Sequence, residues 1–327
     1  MRLLLVAAAA AFLGLAAPAH AEKLPPVREE IQRGPVRLQL VDLTPQFLAF
    51  YDAAQGADPD ARFRLWKEHY DFAAVPPGPQ GEAIARRMLD QAWPHYAGAM
   101  PLVRAGVRGL GSEPLDTAAR IYELLEVREP LTIRLTAYVG AFDDNAFTSR
   151  TSTGVPNVYF ATDTASARRR VILPHEMTHA VHLHLAGISG GWERSIGATI
   201  VMEGLAVHAT REISPGLSDA EYVEYTPGWW VKAQAGKRAI LEGLLPEVGA
   251  SEPQTVFKYT MGAGSVGLER EAYAAGWWVV EQLRTEGMTL AQIARVPEAE
   301  MPALAKGAIE RLLSGPSPAA PLKQPRG

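Results

Sequence analysis

The sequence predicts an α+β protein that is mostly helical and contains a small β-sheet. Three observations support this fold class. Most segments carry apolar residues at helical spacing. Two β-branched runs, at 131–140 and 155–162, are typical of strands. Clusters of proline and glycine separate the segments. A length of 327 residues allows one large domain or two smaller ones.

The N-terminal sequence MRLLLVAAAAAFLGLAAPAHA predicts a secretory signal peptide over residues 1–21. Arg2 precedes an apolar run, and Ala19-His20-Ala21 has the small-x-small pattern of a cleavage site. A retained N-terminal anchor is the alternative, but the run is short for a transmembrane helix. We therefore expect an exported protein, periplasmic or secreted, without an integral membrane segment once the signal peptide is removed.

The composition restricts the chemistry. The chain has no cysteine, so a disulfide or a thiolate metal site is excluded, and any metal must be held by His, Asp or Glu. The net charge is −4 and no basic stripe is present, which argues against nucleic acid as a partner. The one arginine run, 168–170, is interpreted as solvated surface.

The order of patterns predicts four regions after the signal peptide. Residues 22–130 are expected to be mostly helical, with a polar lead-in to 36, helical spacing from 37, and breaks at 76–81, Pro101 and 109–114. The sheet follows, with strands LTIRLTAYVG (131–140) and VPNVYFAT (155–162) separated by a polar loop. The predicted regions are a core at 131–230, a C-terminal helical region at 231–313, and a proline-rich disordered tail at 314–327.

Four of the eight histidines lie within residues 173–184, LPHEMTHAVHLH. His175 and His179 form an HExxH motif, which on a helix places both imidazoles on one face so that they can bind one metal. Glu176 would lie beside a metal-bound water and accept its proton. Satisfied core histidines are the alternative. Pro174 either begins this helix or lies inside a longer one from near Thr164, and we favour the longer helix because a helix N-terminus disfavours a cation.

Two histidines leave a catalytic zinc one ligand short of its usual three. Glu203 follows in IVMEGLAVHAT (200–210). With these motifs the chain resembles the gluzincin class of zinc metallopeptidases, which take the third ligand from a glutamate on the next helix. It is most similar to uncharacterised predicted zinc-dependent proteases, with REAYAAGWWVVEQL (270–283) as a late tyrosine-glycine segment. The resemblance covers roughly residues 131–285. A metzincin is disfavoured because His182 and His184 follow His179 too closely.

This resemblance implies a zincin-like catalytic core in which one Zn²⁺ is bound by His175, His179 and Glu203. Glu176 would be the general base, and VPNVYFAT would be the edge strand that pairs with an extended peptide. Tyr273 ranks first as the oxyanion donor; the other candidates are Arg270, Tyr259 and His208.

The predicted function is therefore an exported gluzincin-type zinc metallopeptidase that hydrolyses peptide or protein substrates with zinc-activated water. Two alternatives remain open. One is a non-enzymatic exported zinc-binding or scaffold protein whose site is structural or decayed, and the other is a zinc hydrolase of non-peptide amides.

Two further motifs carry weaker signals. GAGSVG (262–267) fits a dinucleotide-binding pattern after the strand-like TVFKY, but no second strand can close a βαβ unit. The serine within it has no histidine after it, which excludes the chain order of an α/β-hydrolase. The two tryptophan pairs, at 229–230 and 277–278, are interpreted as core packing rather than carbohydrate stacking.

Overall fold

A computed structural model describes residues 24–75, 78–188 and 194–315. The predicted signal peptide lies outside these residues, as does all but the start of the predicted tail. The fold class is confirmed, because the described chain is mostly helical and carries a small mixed sheet. None of the described helices combines the length and apolar character that crossing a bilayer requires.

The sheet has five strands in the order β1-β2-β3-β5-β4. The pairs β2–β3 and β3–β5 are parallel, and the two outer strands run antiparallel to their neighbours. The strands are β1 (Glu29–Arg33), β2 (Val36–Asp42), β3 (Leu131–Tyr138), β4 (Ala146–Arg150) and β5 (Pro156–Ala161).

Strands β1 and β2 correct the sequence interpretation, which had a polar lead-in and helical spacing here. They form a hairpin closed by a two-residue turn, in which Gly34 has a φ of 56° that glycine accepts without strain. Along β2, buried Val36 and Leu38 alternate with the more exposed Arg37 and Gln39. That period of two fits a strand, and pairing with β3 stabilises it.

The edge-strand prediction was wrong. The segment VPNVYFAT contains β5, which lies between β3 and β4. The edge beyond it is β4, formed by AFTSR within the stretch interpreted as a polar loop. Short polar edge strands have a weak sequence pattern, since charged and polar residues at an edge prevent pairing with other chains.

The helices before the sheet core are α1 (Thr44–Ala53), α2 (Pro59–His69), α3 (Pro79–Ala105) and α4 (Glu113–Leu124). Helix α3 continues through Pro101, which was expected to end it. The helices after the sheet are α5 (Ser166–Ala186), α6 (Ile196–Ile213), α7 (Asp219–Val223), α8 (Trp229–Leu244), α9 (Pro253–Thr260), α10 (Glu271–Thr285), α11 (Leu290–Ile293) and α12 (Met301–Ser314).

Each face of the sheet supports its own hydrophobic core. On β5, Val158 and Phe160 pack with residues of α4, α5 and α6. The intervening Tyr159 and Ala161 pack with aromatic residues of α1, α2 and α3. The strand is buried on both faces because helices cover both sides. The sheet therefore separates helices α1, α2 and α3 from the helix that carries HExxH, whereas α4 lies on the same side as that helix.

The GAGSVG segment is a loop and not part of a nucleotide fold. TVFKY belongs to helix α9, so no strand precedes it. The fully buried carboxylate of Glu271 accepts hydrogen bonds from the main-chain N–H of Ser265 and Val266 and from the hydroxyl of Ser265. These bonds fix the loop before α10.

Candidate metal centre

The HExxH residues lie in the middle of α5. This helix begins at Ser166 and continues through Pro174, as predicted, so its N-terminus lies more than two turns before His175. Its apolar residues pack beneath the sheet, and Leu173, Met177 and Val181 are fully buried. The packing orients the opposite face, which carries His175 and His179.

Helix α6 supplies Glu203. Its N-terminus is capped by Ser195, whose side-chain oxygen accepts a hydrogen bond from the main-chain N–H of Ala198. Nε2 of His175 lies 3.2 Å from Oε2 of Glu203 and 3.1 Å from Nε2 of His179. Nε2 of His179 lies 3.6 Å from the same glutamate oxygen. The three predicted ligand residues thus converge, and their ligand atoms all lie within 4.8 Å of one another.

These distances fit a tetrahedral zinc ion. Zinc binds imidazole nitrogen and carboxylate oxygen at about 2.0–2.1 Å, so at tetrahedral angles the ligand atoms lie roughly 3.4 Å apart. The observed separations of 3.1, 3.2 and 3.6 Å bracket that value. Two imidazoles and one carboxylate are also the donor set of a catalytic zinc with an open fourth position.

The three ligands are electrostatically coupled. Burial raises the pKa of Glu203, but the neighbouring His179 and His175 outweigh burial and leave it well below its usual range. Burial lowers the pKa of His179, while Glu203 outweighs burial and leaves it raised. Without a metal, the carboxylate therefore stabilises a proton on His179. A divalent cation would take the place of that positive charge.

The general-base candidate Glu176 is buried, and the edge strand holds it. Oγ1 of Thr148, on β4, lies 2.7 Å from Oε2 of Glu176 and 3.1 Å from its main-chain oxygen. A hydroxyl donates one proton, and the carboxylate is the stronger acceptor. Sequence reasoning missed Thr148 because its strand was not predicted.

A second side chain of β4 attaches the strand to the end of α5. The guanidinium of Arg150 donates to the main-chain oxygens of Leu183 and Ile188, at 2.5 and 2.8 Å. Carbonyl groups at a helix C-terminus lack helical partners and favour a cation. The edge strand is therefore fixed to the HExxH helix at two points.

Close contact between α6 and α10 brings Tyr273 to the site. A Cβ atom on Gly204 would lie 2.2 Å from the main-chain oxygen of Gly276, so the two backbones touch at these glycines. Gly204 directly follows Glu203, and Tyr273 precedes Gly276 by almost one helical turn. Burial and the charges of Glu203 and Glu176 together raise the pKa of Tyr273 to about 12, while Arg270 lowers it. The phenol thus lies within the field of both carboxylates.

Arg194 is a second residue that sequence reasoning missed. Its guanidinium donates to Sδ of Met202 at 2.9 Å. The positive charge opposes protonation of His179, and the charge of Glu203 in turn raises the pKa of Arg194 against the lowering by burial. It precedes α6, where no sequence motif marks it.

The remaining candidates lie elsewhere. The hydroxyl of Tyr259 donates to the main-chain oxygen of Gly243, and Nε2 of His208 lies 3.0 Å from the main-chain oxygen of Trp277. His184 is exposed. His182 is fully buried with neither ring nitrogen hydrogen-bonded, and burial lowers its pKa to about 3, so it is a neutral core residue.

Residues 146–302 match the model of a family described as Predicted Zn-dependent protease (DUF2268). The matched segment runs from β4 to the start of α12 and contains HExxH, Glu203 and Tyr273. No curated protein matches the chain, and no solved structure does. The match supports the suspected relation to a zinc protease family and indicates zinc as the metal.

Proposed function

We propose that this protein is a zinc metallopeptidase of gluzincin type, with one Zn²⁺ held by His175, His179 and Glu203. The convergence of these three side chains, at separations that fit tetrahedral zinc, carries the proposal. The family match, described as a predicted zinc-dependent protease, supports it. When bound, the metal supplies a Lewis acid that polarises a carbonyl group and increases the acidity of water.

Glu176 is the general base in this proposal. Its carboxylate takes a proton from the attacking water and later passes it to the leaving amine. The hydrogen bond from Thr148 fixes one carboxylate oxygen and leaves the other free to receive that proton. Because Thr148 lies on the edge strand, the orientation of the base depends on β4.

Tyr273 is the proposed donor to the oxyanion. A phenol with a pKa of about 12 keeps its proton throughout the neutral range, so it can donate a hydrogen bond to the developing negative charge. The glycine contact between α6 and α10 holds it beside Glu203. Tyr259 and His208 do not serve as donors in this proposal, because both contact main-chain oxygens elsewhere.

The substrate is a peptide or protein segment in extended form. Strand β4 pairs with β5 on one side and with no other described strand on the other. A peptide added to that free side would form main-chain hydrogen bonds next to the strand that holds Glu176. We further propose, from the predicted signal peptide, that the enzyme acts in the periplasm or outside the cell.

The test measures zinc content and peptide hydrolysis in the mature protein and two variants. Glu203→Ala should lose zinc, because two imidazoles alone bind it weakly. Glu176→Gln should keep one zinc per chain and lose turnover, because the amide cannot accept the proton. A hydroxamate that binds the zinc of this second variant would demonstrate an open coordination position, which a structural site lacks.

Three results would contradict the proposal. If the mature protein bound no zinc after loading, the proposed metal site would be refuted. If Glu176→Gln hydrolysed peptides as fast as the parent protein, the role of Glu176 as general base would be refuted. A closed zinc site, inert to hydroxamate and to all peptides, would favour the scaffold alternative.

A further inference from the structure

Arg270 is held beside Tyr273 in a way that leaves its charge unpaired. The guanidinium lies 4.4 Å from the ring centre of Tyr225 and 4.3 Å from that of Tyr273. Such stacking fixes the planar group, and Arg270 also lies close enough to Tyr273 to hydrogen-bond its hydroxyl. Among the described residues, no carboxylate forms an ion pair with Arg270, and its Nε is buried without a hydrogen-bond partner.

The backbone at this residue is also strained. Arg270 has φ 62° and ψ 35°, a left-handed conformation that a residue with a Cβ adopts at a cost. It immediately precedes α10, whose close contact with α6 places Tyr273 near Glu203. Strain of this kind is maintained where the surroundings impose it, and it is concentrated at functional sites.

The other described arginine at the centre has a different environment. Arg194 lies close enough to Glu203 for that carboxylate to act on its pKa, and it donates to Met202. Arg270 carries the same charge beside Tyr273, and no carboxylate of the described residues is paired with it. A half-buried guanidinium without a carboxylate partner suits a planar anion, which it can bind through two parallel hydrogen bonds.

We propose that Arg270 binds a carboxylate of the substrate, so that the enzyme prefers peptides with a carboxylate near the cleaved bond. The carboxylate is either the free C-terminus of the peptide or the side chain of Asp or Glu. This proposal rests on the proposed peptidase function, because it places the carboxylate of a bound peptide next to Tyr273.

The experiment measures binding rather than turnover. Zinc-loaded Glu176→Gln protein is titrated calorimetrically with three peptides of one length: one with a free C-terminal carboxylate, one with a C-terminal amide, and one amidated with glutamate as its last residue. We expect at least one carboxylate peptide to bind about tenfold more tightly than the neutral amide. The peptide that binds more tightly, with either a free C-terminus or a glutamate side chain, identifies which carboxylate Arg270 binds.

Two substitutions then remove the guanidinium in the same background. Arg270→Gln retains a long polar side chain. Arg270→Gly also removes the guanidinium, and glycine adopts the left-handed conformation without strain, so this variant should not be destabilised by its backbone. Both should reduce the preference to less than twofold. Arg238→Gln is the matched control, because Arg238 is exposed on α8 and paired with Glu242. It should leave the preference unchanged.

Equal binding of all three peptides, or a preference that persists in both Arg270 variants, would overturn the proposal. An equal loss for all peptides would also overturn it and make Arg270 a positioning residue for Tyr273. The peptidase function fails separately. A carboxylate preference that depends on Arg270, in a protein that cleaves no peptide, would retain the anion site and refute only the catalytic proposal.

Discussion

Replacing Gly204 with alanine tests the contact that brings α10 to the metal centre. The added Cβ would lie 2.2 Å from the main-chain oxygen of Gly276 and 2.6 Å from Cγ2 of Val280. Neither distance is compatible with van der Waals packing, and a main-chain oxygen cannot rotate away as a side chain can. The two helices would therefore have to separate by about 1 Å.

The expected cost follows from two opposing effects. Overpacking a core costs about 1–3 kcal/mol, and a contact with backbone belongs at the upper end. Alanine in a helix interior is about 1 kcal/mol more favourable than glycine. Gly204→Ala should thus lower the free energy of unfolding by about 2 kcal/mol. It should also reduce turnover, because Tyr273 moves with α10.

Gly98→Ala is the matched control. Gly98 lies inside α3, and a Cβ there would meet nothing within 4 Å. This variant should gain about 1 kcal/mol from helix propensity alone. Urea unfolding of both variants and the parent protein measures the difference, which should be about 3 kcal/mol. If Gly204→Ala were as stable as Gly98→Ala, the argument for a close glycine contact would be refuted.

Two further predictions concern Thr148, which contacts Glu176, and the buried His182. Thr148→Val should retain zinc and lower kcat about tenfold, because losing a hydrogen bond to a charged group costs about 1.5–3 kcal/mol and leaves the side chain of Glu176 free to move. Steady-state kinetics measure the effect, with Thr132→Val on β3 as the control. The prediction would be contradicted if both variants had the kcat of the parent protein. His182 has a pKa of about 3 when folded against about 6.5 when unfolded, so below pH 6.5 the unfolded chain takes up a proton that the folded chain does not. Metal-free protein should lose about 2 kcal/mol of stability from this residue on going from pH 6.5 to 5. His182→Leu should remove that part of the pH dependence in urea unfolding, and parallel losses in the two proteins would show that His182 does not contribute.

The parts of the site that depend on local geometry could be predicted from the sequence. The spacing of His175 and His179 places them on one helix face whatever surrounds the helix. The continuation of α5 through Pro174 followed from the electrostatics of a cation site. Glu203 required a resemblance to known proteins, because nothing in the spacing alone connects it to α5.

The parts that depend on pairing between distant segments were missed. Strand β4 has five residues with little alternation, and it becomes a strand because β5 pairs with it. Thr148 could not be linked to Glu176 without that pairing. The alternation in β2 was present in the sequence, but the surrounding helical spacing obscured it. Arg194 acts through proximity in space, which no motif records.

The position of β2 in the sheet determines whether the N-terminal region could be a removable segment. Proteases are often kept inactive by an N-terminal pro-segment that is later cut away. Here β2 forms hydrogen bonds with β1 on one side and β3 on the other, and its apolar residues belong to the same core as the HExxH helix. Removing it would expose β3 and open that core. Residues 29–42 are therefore a permanent part of the folded protein, and any control of the proposed peptidase activity must act without discarding them.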